Sequence, residues 1–264
     1  MNIFIHEWKS FRKSTLIWSL SLTGLTILLF SMFPAIARDA ENFKRLLEGF
    51  PEPVRKAVGL EIDSIASLLG FYSYMFLYVS LCGAIQAMNL GTSLLTKEIR
   101  EKTADFLLTK PVARKQVLTS KLLAAVVSLI MTNIFFLTAA NLMASIVKTE
   151  SYSISAFILI SISLFLLQLI FLAIGVLVSV IIPRIKSVLS VSLGTVFAFF
   201  MLGIFGSAAG DEAIRYITPF KYFDPAYIVK NSAYEPAFLT MGAGIILAAI
   251  LAVYYIYSKR DIAI

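Results

Sequence analysis

Six apolar runs alternate with short charged segments along the chain: residues 15–37, 71–95, 122–147, 151–183, 187–210 and 236–258, none of which contains Lys, Arg, Asp or Glu. Crossing hydrocarbon takes roughly 20 apolar residues in a helix that rises 1.5 Å per residue, whereas a barrel strand needs only about 10. Runs this long satisfy their own backbone hydrogen bonds as helices. The pattern therefore predicts an all-α membrane protein with six transmembrane helices, forming a single domain over residues 1–264.

Composition agrees. Hydrophobic residues make up 59% of the chain and charged ones 15%, against about 45–50% and about 25% in soluble domains. Most of the surface must face something other than water. The net charge of +7 then reads through topology. Six spans put the N-terminus, residues 96–121, the Arg184/Lys186 turn and the C-terminus on one side, with 14 of the 23 Lys and Arg, against 9 on the other. The excess marks the first side as cytoplasmic. The positive charge is a topology signal, with no nucleic-acid partner implied.

Residues 1–13 predict an amphipathic elbow helix lying in the membrane plane and turning sharply into the first span. Phe4, Trp8 and Phe11 share one face, and His6, Lys9 and Lys13 the other. A positively charged flank is the plainer alternative. Ala35-Ile36-Ala37 resembles a cleavage site, but the run before it is too long for a signal peptide core of about 7–15 residues and reads as an uncleaved anchor. On the far side, residues 41–50 carry Phe43, Leu46, Leu47 and Phe50 at helical spacing. Residues 211–235 hold six aromatics, Tyr216, Phe220, Tyr222, Phe223, Tyr227 and Tyr234, read as interfacial anchors or as an external gate.

Residues 96–121 gather seven of the 23 Lys and Arg between the second and third spans. Glu98 and Lys102 are spaced for an i, i+4 pair, Thr103 can cap a short helix with Asp105 in its first turn, and Pro111 ends it. The result is a short helix presenting Phe106, Leu107 and Leu108 from a charged loop. Apolar residues rimmed by charge suit a groove on a partner; a helix lying on lipid headgroups is the other reading.

At these residues the chain resembles the permease subunits of ABC transporters of the ABC-2, or exporter, type. The pattern is an acidic and basic run, Thr-Ala-Asp-Phe-Leu-Leu, Lys-Pro-Val, a basic pair and a lysine entering the next span, over residues 98–121; Lys102 stands where the family usually has Gly. The order of elbow, six spans, loop after the second span and a closing Ser-Lys-Arg-Asp-Ile at 258–262 matches as well. The resemblance implies that this loop is a cytoplasmic coupling helix docking on an ATP-hydrolysing subunit through Glu98, Glu101, Thr103, Asp105, Phe106, Leu107, Leu108 and Lys110. It further implies two ATPase subunits holding ATP and Mg, a second permease chain as homo- or heterodimer, outward transport, and a bacterial cell membrane with both termini cytoplasmic.

No G-x-x-x-x-G-K-[ST] loop is present to cradle ATP phosphates. The single histidine, His6, leaves no footing for Ser-His chemistry or a histidine zinc cluster, so no catalytic, cofactor or metal residues are assigned. An ion-coupled secondary transporter is the main rival, opposed by the absence of ionisable residues from the spans; a membrane scaffold or immunity protein without transport is another. Gln86, Asn89 and Ser93 on one face of the second span, Asn133 and Asn141 in the third and Gln168 in the fourth are candidates to line a translocation pathway, with interhelical hydrogen bonding as the alternative.

Overall fold

Each charge-free run becomes a helix because helical hydrogen bonding is the local way to satisfy a backbone in apolar surroundings. The computed structural model describes residues 3–57, 59, 62, 64–100, 114–182 and 185–259. Among them are α1 (Ile3–Arg38), α2 (Ala40–Glu48), α3 (Glu52–Ala57), α4 (Leu68–Arg100), α5 (Arg114–Val147), α6 (Ile154–Ile181), α7 (Val188–Ala209), α8 (Ala213–Ile217), a 3-10 turn (Pro219–Lys221), α9 (Pro225–Asn231) and α10 (Pro236–Lys259). Six of these, α1, α4, α5, α6, α7 and α10, are long and apolar enough to cross a membrane. Ser153 and Ser187 cap α6 and α7 by accepting from the backbone N–H groups of Ala156 and Ser190.

The spans pair in parallel. α1 runs along α5, with Glu7 opposite Lys121 at one end and Ser19 opposite Thr132 a few turns on. α4 runs along α6 in the same fashion, from the Tyr72–Ser161 hydrogen bond to the Gly91–Gly175 contact. α10 leans on α6, and α7 on α4. Leu20, Leu142 and Leu251 lie on outer faces with more than half of their surface uncovered, as residues in an apolar solvent can.

α4 and α6 meet through glycine. A Cβ on Gly91 would lie 2.9 Å from the Val176 nitrogen and 3.0 Å from the Gly175 Cα, and one on Gly175 would lie 2.7 Å from the Met88 carbonyl oxygen. The two backbones touch there, and only residues without side chains allow it. Toward the other end the same pair spreads to admit aromatics: Tyr72 stacks between Phe157 (4.5 Å) and Phe30 (5.6 Å) and shares a 2.6 Å hydrogen bond with Ser161.

Three expectations need correction. The sharp turn after residue 13 is absent, since α1 is one helix of 36 residues, about 54 Å long at 1.5 Å per residue. The predicted amphipathic faces are real, but Phe11 is buried in the protein core with Phe4 and Trp8 packed against it, so the apolar stripe meets protein instead of lipid and the helix has no reason to bend. Next, α4 and α5 extend beyond the charge-free runs, to Arg100 and back to Arg114, so both ends of the predicted 96–121 loop are helical. Finally, the rings of residues 216–234 mostly turn inward. Phe220 packs on Phe171 and Phe200, and Tyr222 stacks on Phe238.

Gly175→Leu and Gly91→Leu are expected to force α4 and α6 apart and lower stability by about 1–3 kcal/mol each. Thermal unfolding of the detergent-solubilised protein checks this; wild-type midpoints in both variants would contradict the contact.

Candidate functional site

The functional geometry begins at the end of the bundle where α1 starts, α4 finishes and α5 starts. Lys121 enters this junction as a buried cation whose ammonium donates to the Leu94 carbonyl at 3.1 Å and lies 3.5 Å from the Glu7 carboxylate. Its side chain is 3% exposed and that of Glu7 14%. Desolvating both charges is costly, and partial repayment comes from the ion pair and the helix carbonyl. The arrangement ties α1, α4 and α5 together at the root of the charged loop.

Midway through the bundle lies a polar knot. Thr132 of α5 donates to the Ser128 carbonyl (3.2 Å) and accepts from Ser19 of α1 (3.2 Å) and from Gln86 of α4 (2.8 Å). Its hydroxyl thereby uses its one hydrogen and both lone pairs. Gln168 of α6 donates to Gln86 Oε1 (3.2 Å) and to the Gly83 carbonyl (3.4 Å), and accepts from Asn133 Nδ2 (2.5 Å). Four spans are joined in one network, in which Gln86 and Gln168 are fully buried.

Two cavities flank α4. A cleft of about 140 Å³ at the charged-loop end lies between α1 and α4, lined by Ser10, Ser14, Trp18, Gln86, Asn89 and Ser93. A cavity of about 740 Å³ opens at the opposite end among α3, α4, α6, α7 and the 219–230 segment. The segment on one side of that opening is well fastened. Arg215 forms a 2.6 Å pair with Glu235 and covers the Phe238 ring, Thr218 donates to the Phe199 carbonyl, and Tyr222 donates to the Tyr216 carbonyl.

The sequence-derived residues divide accordingly. Gln86, Asn133 and Gln168 come together in the polar knot; Asn89 and Ser93 join Gln86 on the small cleft; Asn141 is exposed and stands apart. Of the coupling residues, Glu98 lies on the last turn of α4, while Glu101, Thr103, Asp105, Phe106, Leu107, Leu108 and Lys110 lie outside the described residues. Sequence reasoning passed over Glu7, Thr132 and Ser19. Opposite charges at two span entrances, Glu7 and Lys121, were the available signal for the ion pair; a threonine in an apolar run carries none. Among the described residues no three His, Cys, Asp or Glu side chains are grouped to hold a metal ion.

A six-span bundle with a charged insertion after its second span is thus in place, and its sequence can be set against known families. The model for the ABC-2 family transporter protein matches residues 1–262. The chain belongs to the ABC-2 transporter family. No curated protein matches it significantly. As an ABC-2 family member it is the membrane component of a transporter, in a family whose permeases typically lack an ATPase domain. The family's reliance on a separate ATPase directs attention to the loop end, where Lys121 anchors the helix emerging from the charged segment.

Lys121→Met is expected to strand the Glu7 carboxylate and lower stability by roughly 3 kcal/mol, as does breaking one side of a buried pair generally. Lys121→Arg, which keeps the charge, should lose less. Thermal unfolding of the two variants checks the ordering; a Met variant as stable as wild type would remove the ion pair from the account.

Proposed function

We propose that this protein is the permease subunit of an ATP-driven exporter, powered by a separate ATPase that docks on the charged loop between α4 and α5. The observation that carries the reading is the ABC-2 family match across residues 1–262. Two structural features support it. α4 and α5 continue as helices on either side of the loop, to Arg100 and from Arg114, so a push on the loop is delivered to two rigid rods. Lys121 binds those rods to each other and to α1. Displacement at the ends of α4 and α5 is thereby carried into the bundle.

In this reading the loop end is cytoplasmic, two ATPase subunits holding ATP and Mg serve two permease chains, and Glu98, Glu101, Thr103, Asp105, Phe106, Leu107, Leu108 and Lys110 form the docking surface. Asn89 and Ser93, on the small cleft, lie on the route of the cargo. The Gln86, Asn133 and Gln168 amides maintain the alignment of the helices around it through the hydrogen bonds that link α4, α5 and α6.

Gentle purification from the native host should recover an ATPase bearing a G-x-x-x-x-G-K-[ST] loop with this chain. Phe106→Asp should abolish its recovery while leaving membrane insertion intact. Mass spectrometry reads both. Failure to recover any ATPase under conditions that keep other membrane complexes whole would overturn the proposal.

A further inference from the structure

The 740 Å³ cavity at the end opposite the charged loop has cations on its connecting segments and serine hydroxyls on α4 and α6, with Ser80 and Ser163 buried. Its rim carries three cations from the connecting segments, Lys56 on α3, Lys221 on the 3-10 turn and Lys230 on α9, with Asp224 as the acidic side chain among the described residues. Lys56 is already paired with Glu52 at 2.6 Å. Lys221 is different. It is half-buried and lines the cavity, and its ammonium has no hydrogen bond or ion pair within reach among the described residues. Burial pushes its pKa below the usual lysine range; the neighbouring Asp224 pulls it back up, and Arg215 adds to the depression. A partly desolvated cation whose charge is offset only in part, by Asp224, is held at a cost that a bound anion would reduce.

On α4 and α6 the chemistry changes. Ser73, Ser80 and Ser163 each donate their hydroxyl hydrogen to a carbonyl of their own helix, at 2.8, 2.8 and 2.9 Å. With those hydrogens committed, Ser73 and Ser80 keep oxygen lone pairs that suit hydroxyl or ammonium hydrogens, while Ser163 also meets the Tyr234 side chain. Between them Phe76, Leu77 and Leu167 supply apolar wall. A soluble anion would use the rim and waste the wall; a plain hydrocarbon would strand the lysine.

We infer that this cavity is a binding site for an amphiphile whose headgroup combines an anionic group with hydrogen-bond donors, the anion at Lys221 and Lys230 and the apolar portion against Phe76, Leu77 and Leu167. As a statement about cargo it rests on the exporter reading and deepens it. In that orientation the cavity opens outward and holds the amphiphile at the exit. As a statement about binding it stands without the ATPase.

The test is equilibrium binding to the full chain in nanodiscs of neutral lipid, with no ATPase or nucleotide present. The probes are lysophosphatidylglycerol, lysophosphatidylcholine and glycerol phosphate. Lysophosphatidylglycerol should bind at least tenfold more tightly than either of the others. Lys221→Gln should weaken it about tenfold, the scale of one hydrogen bond to a charged group, with recovery in Lys221→Arg. Should Lys221→Gln fail to fold, Ser207→Phe, which fills the cavity from α7 without altering its charge, should weaken binding comparably. Equal affinity for the two lysolipids, tight binding of glycerol phosphate alone, or indifference to both variants would overturn the inference. ATPase recovery in the Lys221→Gln chain is measured separately. Lost binding with a retained ATPase supports this site, and binding with no ATPase ever recovered would count against the exporter reading alone.

Discussion

Within hydrocarbon no water stands ready to satisfy a stray polar group, and most polar side chains in the bundle find a partner in protein, Thr23 Oγ1, Thr92 Oγ1 and Asn133 Oδ1 being buried exceptions. Thr132 is the most fully satisfied of the network. Its single hydroxyl meets Ser128, Ser19 and Gln86, and Gln86 in turn meets Gln168, which meets Asn133. Bonds of this kind average only about 0.6 kcal/mol in membrane proteins. Their larger effect is on register, since sliding any one of the four spans by a turn would leave several donors and acceptors unmatched. The glycine contact of α4 with α6 reinforces the same alignment, because Gly91 and Gly175 can touch only in one register.

With the middle fixed, the two ends acquire separate tasks. At one, Lys121 and Glu7 hold three helices where the charged loop departs. At the other, a segment of short helices and inward-turned aromatic rings forms one wall of a large open cavity. The two cavities lie at different heights along α4, the large one at Gly70 to Ser80 and the small cleft at Gln86 to Ser93. Under the permease reading a route between them runs along α4, the helix whose end carries the loop.

Much of the architecture was legible because the signal for a span is long and nearly context-free. Six runs without a charge identified six helices, and Phe4, Trp8 and Phe11 announced an apolar face that the structure does show. What covered that face was not legible, since lipid and a neighbouring helix demand the same side chains; hence an elbow was expected where α1 continues unbroken. The inward aromatics erred in the same direction. Tyr222 and Phe223 look like interfacial anchors until tertiary contacts bury them. In the polar knot, the amides stood out in sequence and Thr132 did not, because a threonine satisfied by its own helix is indistinguishable from one that also joins two others. The large cavity was wholly hidden: its lysines come from three segments separated by up to 174 positions, and only the fold brings Lys56 together with Lys230.

The claim on which the account turns is that an ATPase drives this bundle through the loop between α4 and α5. The most direct measurement is site-specific disulfide crosslinking in a Cys82→Ala background, with a cysteine placed at Leu107 and another on the co-purified ATPase, during ATP turnover. The account predicts a crosslinked permease–ATPase adduct that arrests both hydrolysis and transport until it is reduced. Continued transport by the crosslinked complex, or an ATPase that reacts as readily with a cysteine at Gly59 on the opposite end of the bundle, would contradict it.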